Sequence, residues 1–379
     1  MSQETPGSDT PGADTPQADS PSEEDVNLDD FGLFDPAVQQ CPHAYYARMQ
    51  QEAPVFEAAA PGAPLQLVTR HDDVLNVVLD ADTFSSRFDT AGVGADSDYA
   101  RRIQELYEAE GGYDRIGTML TVDPPDHTRY RRLVSKAFTP RVIAGLEPTI
   151  RDITSRLIDE LLAAAADGAV IDFVETFAVP LPVTVIAKAL NVPDDRLVDF
   201  KRWSDASIAG IGTNISIDER LEAEREVIEY QHYFAEQINL RRTEPQDDIL
   251  TNLLNARIDR DDLEAAGAGA GGGEGEGGAL SDELSTMPEI LSIIQQLLFS
   301  DNETTTKMLT EMMRLLGENP HEWAALQDAA SSGDAEALDV ASKAVGEETL
   351  RLSTPTQGMF RVVTEDTEVG GVELAAGSR

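Results

Sequence analysis

The sequence predicts a mainly α-helical fold with small β-sheets, and three observations carry that prediction. Apolar residues recur every three or four positions between residues 143 and 161, which is the period of an amphipathic helix. A capping box formed by Thr286 and Glu289 opens a second run that is apolar on too many faces to lie on a surface. Strand signals are confined to the short stretches 55–68 and 360–374.

The first long helix has a clear start and an interrupted course. It begins at Thr139 and Pro140, a typical N-cap and first-turn pair, and extends toward the terminating Gly168. Gly145 and Pro148 are expected to kink or break it early, because glycine is flexible and proline cannot donate a backbone hydrogen bond.

A net charge of −41 dominates the composition of the 379 residues, which carry 70 acidic and 29 basic side chains. A body this negative repels phosphate backbones and anionic lipid headgroups, so nucleic acid and membrane surfaces are excluded as partners. Only five of the cations are lysines. A carboxylate-rich, lysine-poor surface stays hydrated in concentrated salt, which predicts a halophilic cytoplasm.

Cysteine use and hydropathy indicate an intracellular protein. Cys41 is the only cysteine, so no disulfide can form within the chain, and no secretory leader is recognisable at the N-terminus. No stretch of about eighteen uncharged apolar residues occurs, so no membrane span is expected. We therefore expect a cytoplasmic protein.

Two low-complexity segments adjoin or interrupt the expected domain, which covers residues 31–379. Residues 1–30 form a quasi-repeat of Pro, Thr and Asp with nine acids and no Lys or Arg, which is typical of a disordered tail. The remaining chain still carries a charge of −32, so the acidity belongs to the folded body. Residues 265–278 consist of Gly, Ala and Glu alone, which predicts a flexible loop inserted within the domain.

A cationic motif follows the two prolines at 124–125. His127 and Arg131 are four residues apart at the start of an expected helix, so both project from one face where the helix dipole favours an anion. The pair could hold a carboxylate or a phosphate group. Alternatively, Arg129, Arg131 and Arg132 form a solvated turn that balances neighbouring aspartates, and the spacing alone favours this second interpretation.

Two further motifs are candidates for a polar site. The run Ser300–Thr306 places acids and hydroxyls at the midpoint of the long apolar helix, where threonine can bond back to carbonyl groups one turn earlier. Either a further polar group sits against this run, or its residues only face a solvent channel or the polar groups of a neighbouring helix. Glu348 and Arg351 are three residues apart and could form a buried link, although the same pattern occurs twice elsewhere in the chain.

In order and spacing, these motifs resemble the soluble, bacterial-type cytochrome P450 family. The similarity runs from about Asp35 to the last residue and is broken by the glycine-rich insertion. The family's C-helix motif is similar to DPPDHTRYRRLVSKAFTPR, and its central I-helix motif is similar to LLFSDNETTT. Its K-helix Glu-x-x-Arg pair is similar to EETLR, and the sheet segment that follows is similar to TPTQGMFRVVTEDTEVGGVELAAGSR. Their occurrence together is a stronger signal than any one of them.

The resemblance implies a haem b cofactor and residues that hold it. His127, Arg131 and Arg361 match the family's cations that bind the two haem propionates. Glu348 and Arg351 match a structural pair that supports folding and the haem pocket. No metal other than the haem iron is implied.

The resemblance also implies candidate catalytic residues in the I-helix motif. Glu303 and Thr304 match the acid–alcohol pair that delivers protons for the cleavage of dioxygen. Asp301 stands where the family usually has glycine, so an extra carboxylate lies beside the expected oxygen site. The geometry of proton delivery is therefore expected to differ from that of the family.

One family motif does not occur in the sequence. The chain reaches Arg379 without the haem-binding loop Phe-Gly-x-Gly-x-His-x-Cys, which supplies the proximal thiolate. Cys41, in the expected opening helix, is interpreted as a packing residue and not as the haem ligand. We therefore interpret the chain as a P450 truncated before this loop and expect it to be inactive alone.

The complete protein is expected to be a haem-thiolate monooxygenase that inserts one oxygen atom of O2 into an apolar small molecule. A ferredoxin-type protein is the expected electron donor. The alternative is a non-catalytic helical remnant that binds a small molecule or haem. The acid–alcohol pair and the three propionate cations argue against this alternative, because a protein without catalysis does not need them.

Overall fold

The computed structural model describes residues 26–60, 63–87, 98–209, 215–257 and 286–379. Helices dominate this part of the chain, and the predicted mainly α fold with small sheets is confirmed. The glycine-rich insertion at 265–278 and residues 1–25 of the expected tail lie outside the described residues.

The chain divides into two compact units, one formed by residues up to Phe84 with residues 363–379, and one formed by residues 85–362. The first unit holds α1 (Pro36–Gln40), α2 (His43–Glu52), β1 (Val55–Ala58), β2 (Leu65–Val68), α3 (His71–Leu79), β5 (Thr367–Val369) and β6 (Val372–Leu374). Strands β3 (Phe84–Ser85) and β4 (Val362–Val363) lie where the chain passes from one unit to the other.

Two antiparallel hairpins form the sheet structure of the first unit. β1 pairs with β2, with Val55 opposite Val68, and both strands lie where the sequence predicts them. β5 pairs with β6 through the two-residue turn Gly370–Gly371. Both glycines have positive φ, 57° and 85°, which this tight turn requires. Strand β3 carries no strand signal in the sequence. The core of this unit contains Val55, Phe84, Val363, Val369 and Leu374.

The expected tail ends before residue 30. Val26 is only 4% exposed, and its carbonyl accepts a 2.6 Å hydrogen bond from Nη1 of Arg48. Residues Leu28–Asp30 form a short 3-10 helix whose first turn is capped by the side chain of Asn27. A buried side chain and a helix cap therefore fix residues 26–30 in the first unit, although we predicted them as tail.

The second unit holds the longer helices. Two short irregular helical segments, Val174–Ala178 and Asp194–Arg196, precede α7 and α8 respectively. The helices are α4 (Asp98–Glu110), α5 (Asp126–Ala137), α6 (Pro140–Ala164), α7 (Pro180–Ala189), α8 (Leu197–Ala209), α9 (Ile217–Thr243), α10 (Ile249–Asn255), α11 (Met287–Glu318), α12 (Pro320–Ser331) and α13 (Ala335–Leu352).

Helix α6 runs without the predicted break. Its start is as expected, because the Thr139 hydroxyl accepts a 3.3 Å hydrogen bond from Val142 N. Pro148 lies inside the helix, where it removes one backbone donor, yet the helix continues to Ala164. It ends before Gly168, whose φ of 75° is incompatible with a continuing helix.

Helix α11 is the buried centre of the second unit. The predicted capping box is present: Thr286 N donates to Glu289 Oε2 at 3.1 Å, and Glu289 N donates to Thr286 Oγ1 at 3.3 Å. The helix contacts α7, α8, α9, α12, α13 and the segment Val174–Ala178. Its N-terminal half supplies the fully buried residues Ile290, Ile293, Ile294 and Leu298. A helix apolar on most faces is thus enclosed by other helices, as its sequence predicts.

The segment that begins with α4 is attached to one face of α9. Its apolar residues pack against Leu221 and Ile228 of that helix. The buried carboxylate of Glu224 accepts a 2.8 Å hydrogen bond from the Tyr107 hydroxyl and pairs with Arg115 at 2.9 Å. Burial, together with the negative charge of Glu224, raises the pKa of Tyr107 far above its ordinary value. These residues were not singled out from the sequence.

A buried ion pair joins the end of α9 to α10. Asp248 Oδ2 accepts hydrogen bonds from Nε and Nη2 of Arg241 at 2.7 and 2.6 Å, and Oδ1 accepts one from Thr251 N at 2.8 Å. Burial alone would raise the pKa of Asp248, but the hydrogen bonds from Arg241 and Thr251 outweigh it and lower the pKa. Both side chains are almost fully buried, so removal of either one leaves the other charge uncompensated.

We expect Asp248→Ala to lower the free energy of unfolding by about 3–5 kcal/mol, because it strands the buried Arg241 guanidinium. Urea unfolding at neutral pH measures this loss. Asp247→Ala, at the exposed neighbouring carboxylate, is the matched control and should have little effect. Because the folded pKa of Asp248 is lowered, its stabilisation is present above the unfolded carboxyl pKa of about 3.9 and declines as the pH falls through the folded value. Equal, small losses in the two variants would contradict the assignment.

Candidate haem site and polar turn

The cationic motif lies at the start of α5. His127 N donates a 3.0 Å hydrogen bond to Asp123 O in the first turn. His127 and Arg131 lie one turn apart on the same face of the helix. The imidazole of His127 is half-buried, and the guanidinium of Arg131 is exposed. Arg361, directly before β4, is half-buried.

The pKa of His127 responds to the charges of both predicted arginine partners. Burial lowers the pKa of His127 below its ordinary value of 6.5, and the positive charges of Arg131 and Arg361 lower it further. The carboxylate of Asp123 opposes them but does not cancel the shift. His127 therefore lies within electrostatic reach of both arginines, although Arg361 is more than two hundred residues away in the sequence.

The donor chemistry of this cluster fits an anionic group with several oxygens. Among the described residues, neither Arg131 nor Arg361 forms an ion pair; Arg361 Nη1 donates only to the neighbouring Phe360 O at 2.8 Å. The nearest acid is already engaged, because Asp123 accepts hydrogen bonds from Ser85 Oγ at 2.5 Å and Ser86 N at 2.6 Å. Two carboxylates such as haem propionates would meet guanidinium donors there.

The interpretation of the arginine run as one solvated turn is wrong for Arg129. Its side chain is only 3% exposed, and Nη1 donates to Glu289 Oε1 at 2.8 Å. It therefore links α5 to the start of α11 instead of balancing the neighbouring aspartates. Sequence spacing could not reveal this, because the partner carboxylate lies 160 positions further along the chain.

The polar run of α11 lies within a continuous helix. The Thr304 hydroxyl donates to Ser300 O at 2.7 Å, as predicted for a threonine in a helix interior. The Glu303 carboxylate is 39% exposed and lies 3.8 Å from Nζ of Lys307, one turn further on. Glu303 is thus open to solvent, whereas the neighbouring Asn302 is 2% exposed. The side chain of Asp301 lies outside the described part of the structure.

The Glu348–Arg351 pair is formed but is not buried. The two guanidinium–carboxylate contacts are both 2.7 Å, and the side chains are 55% and 66% exposed. The hydrogen bonds from Arg351 lower the pKa of Glu348. The expected buried link is therefore an exposed pair in the described part of the chain, like the pairs Glu222–Arg225 and Glu311–Arg314.

Comparisons with known proteins identify the family. No family model matches the chain. The chain is 33% identical over 352 residues to cytochrome P450 107B1 of Saccharopolyspora erythraea, covering 92% of this chain and 75% of that protein. It is 32% identical over 338 residues to nocardicin C N-oxygenase of Nocardia uniformis, covering 88% and 72%. The solved structure of cytochrome P450 CYP109Q5 from Chondromyces apiculatus superimposes with a TM-score of 0.70 at 30% identity, covering 93% and 75%.

The mainly helical fold with small sheets is that of solved cytochrome P450 structures. The chain belongs to the cytochrome P450 family. Membership implies haem iron, dioxygen, a small-molecule substrate and a redox partner. Separately, none of the helices in the described ranges is long and apolar enough to cross a bilayer.

We expect the pKa of His127 to rise in Arg131→Ala, because the variant removes a positive charge that disfavours the imidazolium form. NMR titration of the imidazole signals in the 379-residue chain measures this shift without haem. Arg132→Ala, which removes the adjacent charge on another helix face, is the control and should have the smaller effect. Equal shifts in the two variants would show that Arg131 has no special proximity to His127.

Proposed function

We propose that this chain provides most of a haem-thiolate monooxygenase that inserts one oxygen atom of O2 into an apolar small molecule. The proposal is carried by His127 and Arg131, four residues apart on one face of α5, together with the positive charge of Arg361, which lowers the pKa of His127. The two arginines supply charge-assisted donors from different elements, and half-buried His127 adds one N–H donor in its neutral form and a second when it is protonated. We assign this cluster to the two haem propionates.

Bound haem would supply the redox chemistry of dioxygen activation. The polar turn of α11 would supply protons for it. Glu303 is exposed enough to exchange protons with solvent. The adjacent Thr304 hydroxyl donates to Ser300 O in this structure, so it would pass its proton to another acceptor only after rotating away from that carbonyl. Asp301, one position from buried Asn302, adds a carboxyl group to the same stretch. Enclosure of the helix by its neighbours excludes water from its apolar faces.

We propose that Cys41 does not supply the proximal thiolate. Cys41 is a half-buried free thiol that directly follows α1. The motif Phe-Gly-x-Gly-x-His-x-Cys does not occur among the 379 residues. We therefore propose that turnover requires this loop and that the 379 residues alone are inactive. A ferredoxin-type protein is the electron donor that we propose for the complete enzyme.

We further propose that the protein works in a salt-rich cytoplasm. Some surface arginines are already shared between carboxylates: Arg101 contacts Asp98 and Glu105, and Arg314 contacts Glu311 and Glu318. The remaining acids outnumber the cations, so self-repulsion opposes folding at low ionic strength. Concentrated salt screens that repulsion to about 3 Å.

We expect Arg131→Ala to weaken haem retention roughly fivefold in a chain extended through the cysteine loop. Loss of one charge-assisted hydrogen bond at an exposed guanidinium corresponds to about 1 kcal/mol. Haem transfer to an acceptor protein measures retention, and Arg132→Ala is the matched control. Unchanged retention at both low and high salt would overturn the propionate assignment.

We expect the melting temperature of the same extended chain to rise as potassium chloride increases toward molar concentration, because salt screens the repulsion between carboxylates. Calorimetry at fixed pH measures this dependence. A melting temperature that stays flat or falls over the range would contradict the halophilic proposal.

We expect Thr304→Ala to retain haem but divert reducing equivalents to peroxide, because the hydroxyl is needed only for proton delivery. Product formed per reducing equivalent measures the coupling. Thr310→Ala is the matched control, since the Thr310 hydroxyl makes the same bond to a carbonyl, at 2.8 Å from Thr306 O. If Asp301→Gly uncouples and Thr304→Ala does not, the aspartate carries the proton instead. Normal coupling in both would show that this turn is structural.

A further inference from the structure

We propose that Asn302 is a positioning residue, which holds the turn of α11 that carries Glu303 and Thr304 in a fixed orientation through α8. This inference deepens the proposed function and rests on it, because it assigns no chemistry to Asn302 itself.

Asn302 forms a buried polar contact with α8. Its side chain is 2% exposed, and Nδ2 donates to Ser204 Oγ at 3.2 Å. Ser204 is fully buried, and its hydroxyl donates in turn to Leu298 O at 3.3 Å. The serine therefore joins two points on α11 that are one helical turn apart, directly before the proposed proton-transfer residues.

A second contact fixes the following turn. The Thr306 hydroxyl lies 3.0 Å from Ala178 O, in the irregular segment before α7, and 3.4 Å from Oδ1 of Asn302. Leu298, Asn302 and Thr306 are spaced four residues apart, so they share one face of α11. Two neighbouring elements thus hold this face on either side of Glu303 and Thr304.

The chemistry of Asn302 favours positioning over simple packing. Asparagine is a poor residue for a helix interior, and burial of its amide is unfavourable unless its donors and acceptors find partners. An apolar residue of similar size would fill this space without that cost. A hydrogen-bonded amide also fixes the orientation of the helix, because its hydrogen bonds reach their partners at only one rotation of α11 about its own axis.

The same interface offers a matched control. Gln295 Nε2 donates to Ser207 Oγ at 3.3 Å, also between α11 and α8, but about two turns from Thr304. Loss of either this contact or the Ser204 contact weakens the interface between α11 and α8. Only loss of the Ser204 contact should let the turn that carries Glu303 and Thr304 move. Ser207→Ala therefore separates local positioning from general stability of the interface.

The first experiment measures hydrogen exchange in the 379-residue chain. We expect Asn302→Leu and Ser204→Ala each to speed amide exchange about fivefold at residues 302–308, the factor for loss of about one net hydrogen bond. Exchange near Arg314 should not change. The effects of the two substitutions should be less than additive in the Asn302→Leu/Ser204→Ala double variant, since both remove the hydrogen bond between Asn302 and Ser204. Ser207→Ala should leave residues 302–308 unaffected.

The second experiment measures product formed per reducing equivalent in the chain extended through the cysteine loop. We expect coupling to fall severalfold in Asn302→Leu and in Ser204→Ala but not in Ser207→Ala. A purely structural role would change haem content or melting temperature and leave this ratio unchanged. If Asn302→Leu fails to fold, Ser204→Ala tests the same contact.

The outcomes separate this inference from the proposed function. If Thr304→Ala uncouples and Asn302→Leu and Ser204→Ala do not, positioning by Asn302 is wrong and the proton path stands. If Thr304→Ala stays coupled, the proton path is wrong, and local exchange alone decides whether Asn302 holds the turn. Exchange at residues 302–308 that is equal in Ser204→Ala and Ser207→Ala overturns the inference.

Discussion

Burial of helix α11 is the constraint on which the second unit depends. The helix is apolar on most of its faces, so other helices must cover it before its hydrophobic surface leaves water. Helices α7, α8, α9, α12 and α13 contact it. The polar residues in its middle therefore need partners from those neighbours, and Asn302 and Thr306 find them in α8 and in the segment before α7.

Burial also decides how this acidic chain uses its few cations. Arg129 and Arg241 lie in the interior, where each neutralises a carboxylate that would be costly to bury alone. Many surface arginines contact acids one turn away, with little effect on stability. Arg131 and Arg361 form no ion pair within the described residues, and their positive charges lower the pKa of His127.

The two halves of the candidate site are held in different ways. The cationic cluster combines a helix start with a residue before a strand, so its geometry depends on long-range folding. The polar turn belongs to one continuous helix, and the hydrogen bonds that it donates to its neighbours fix its rotation. A change in α8 is therefore transmitted to Glu303 and Thr304 through Ser204, whereas the cationic cluster makes no part of that contact.

Local sequence determined the helix starts and the strands β1, β2 and β6, because caps, turn residues and apolar period act over a few positions. Motif order was sufficient to indicate the family, and by resemblance it nominates His127, Arg131 and Arg361 as one set, which stays a prediction. Only the tertiary structure decided that Arg129 pairs with Glu289, that Glu348 and Arg351 are exposed, and that α6 continues past Pro148. Pairing and exposure depend on which distant group covers a side chain. Continuation of α6 depends on the intact backbone hydrogen bonds on either side of the one that Pro148 removes. Local residue spacing encodes neither.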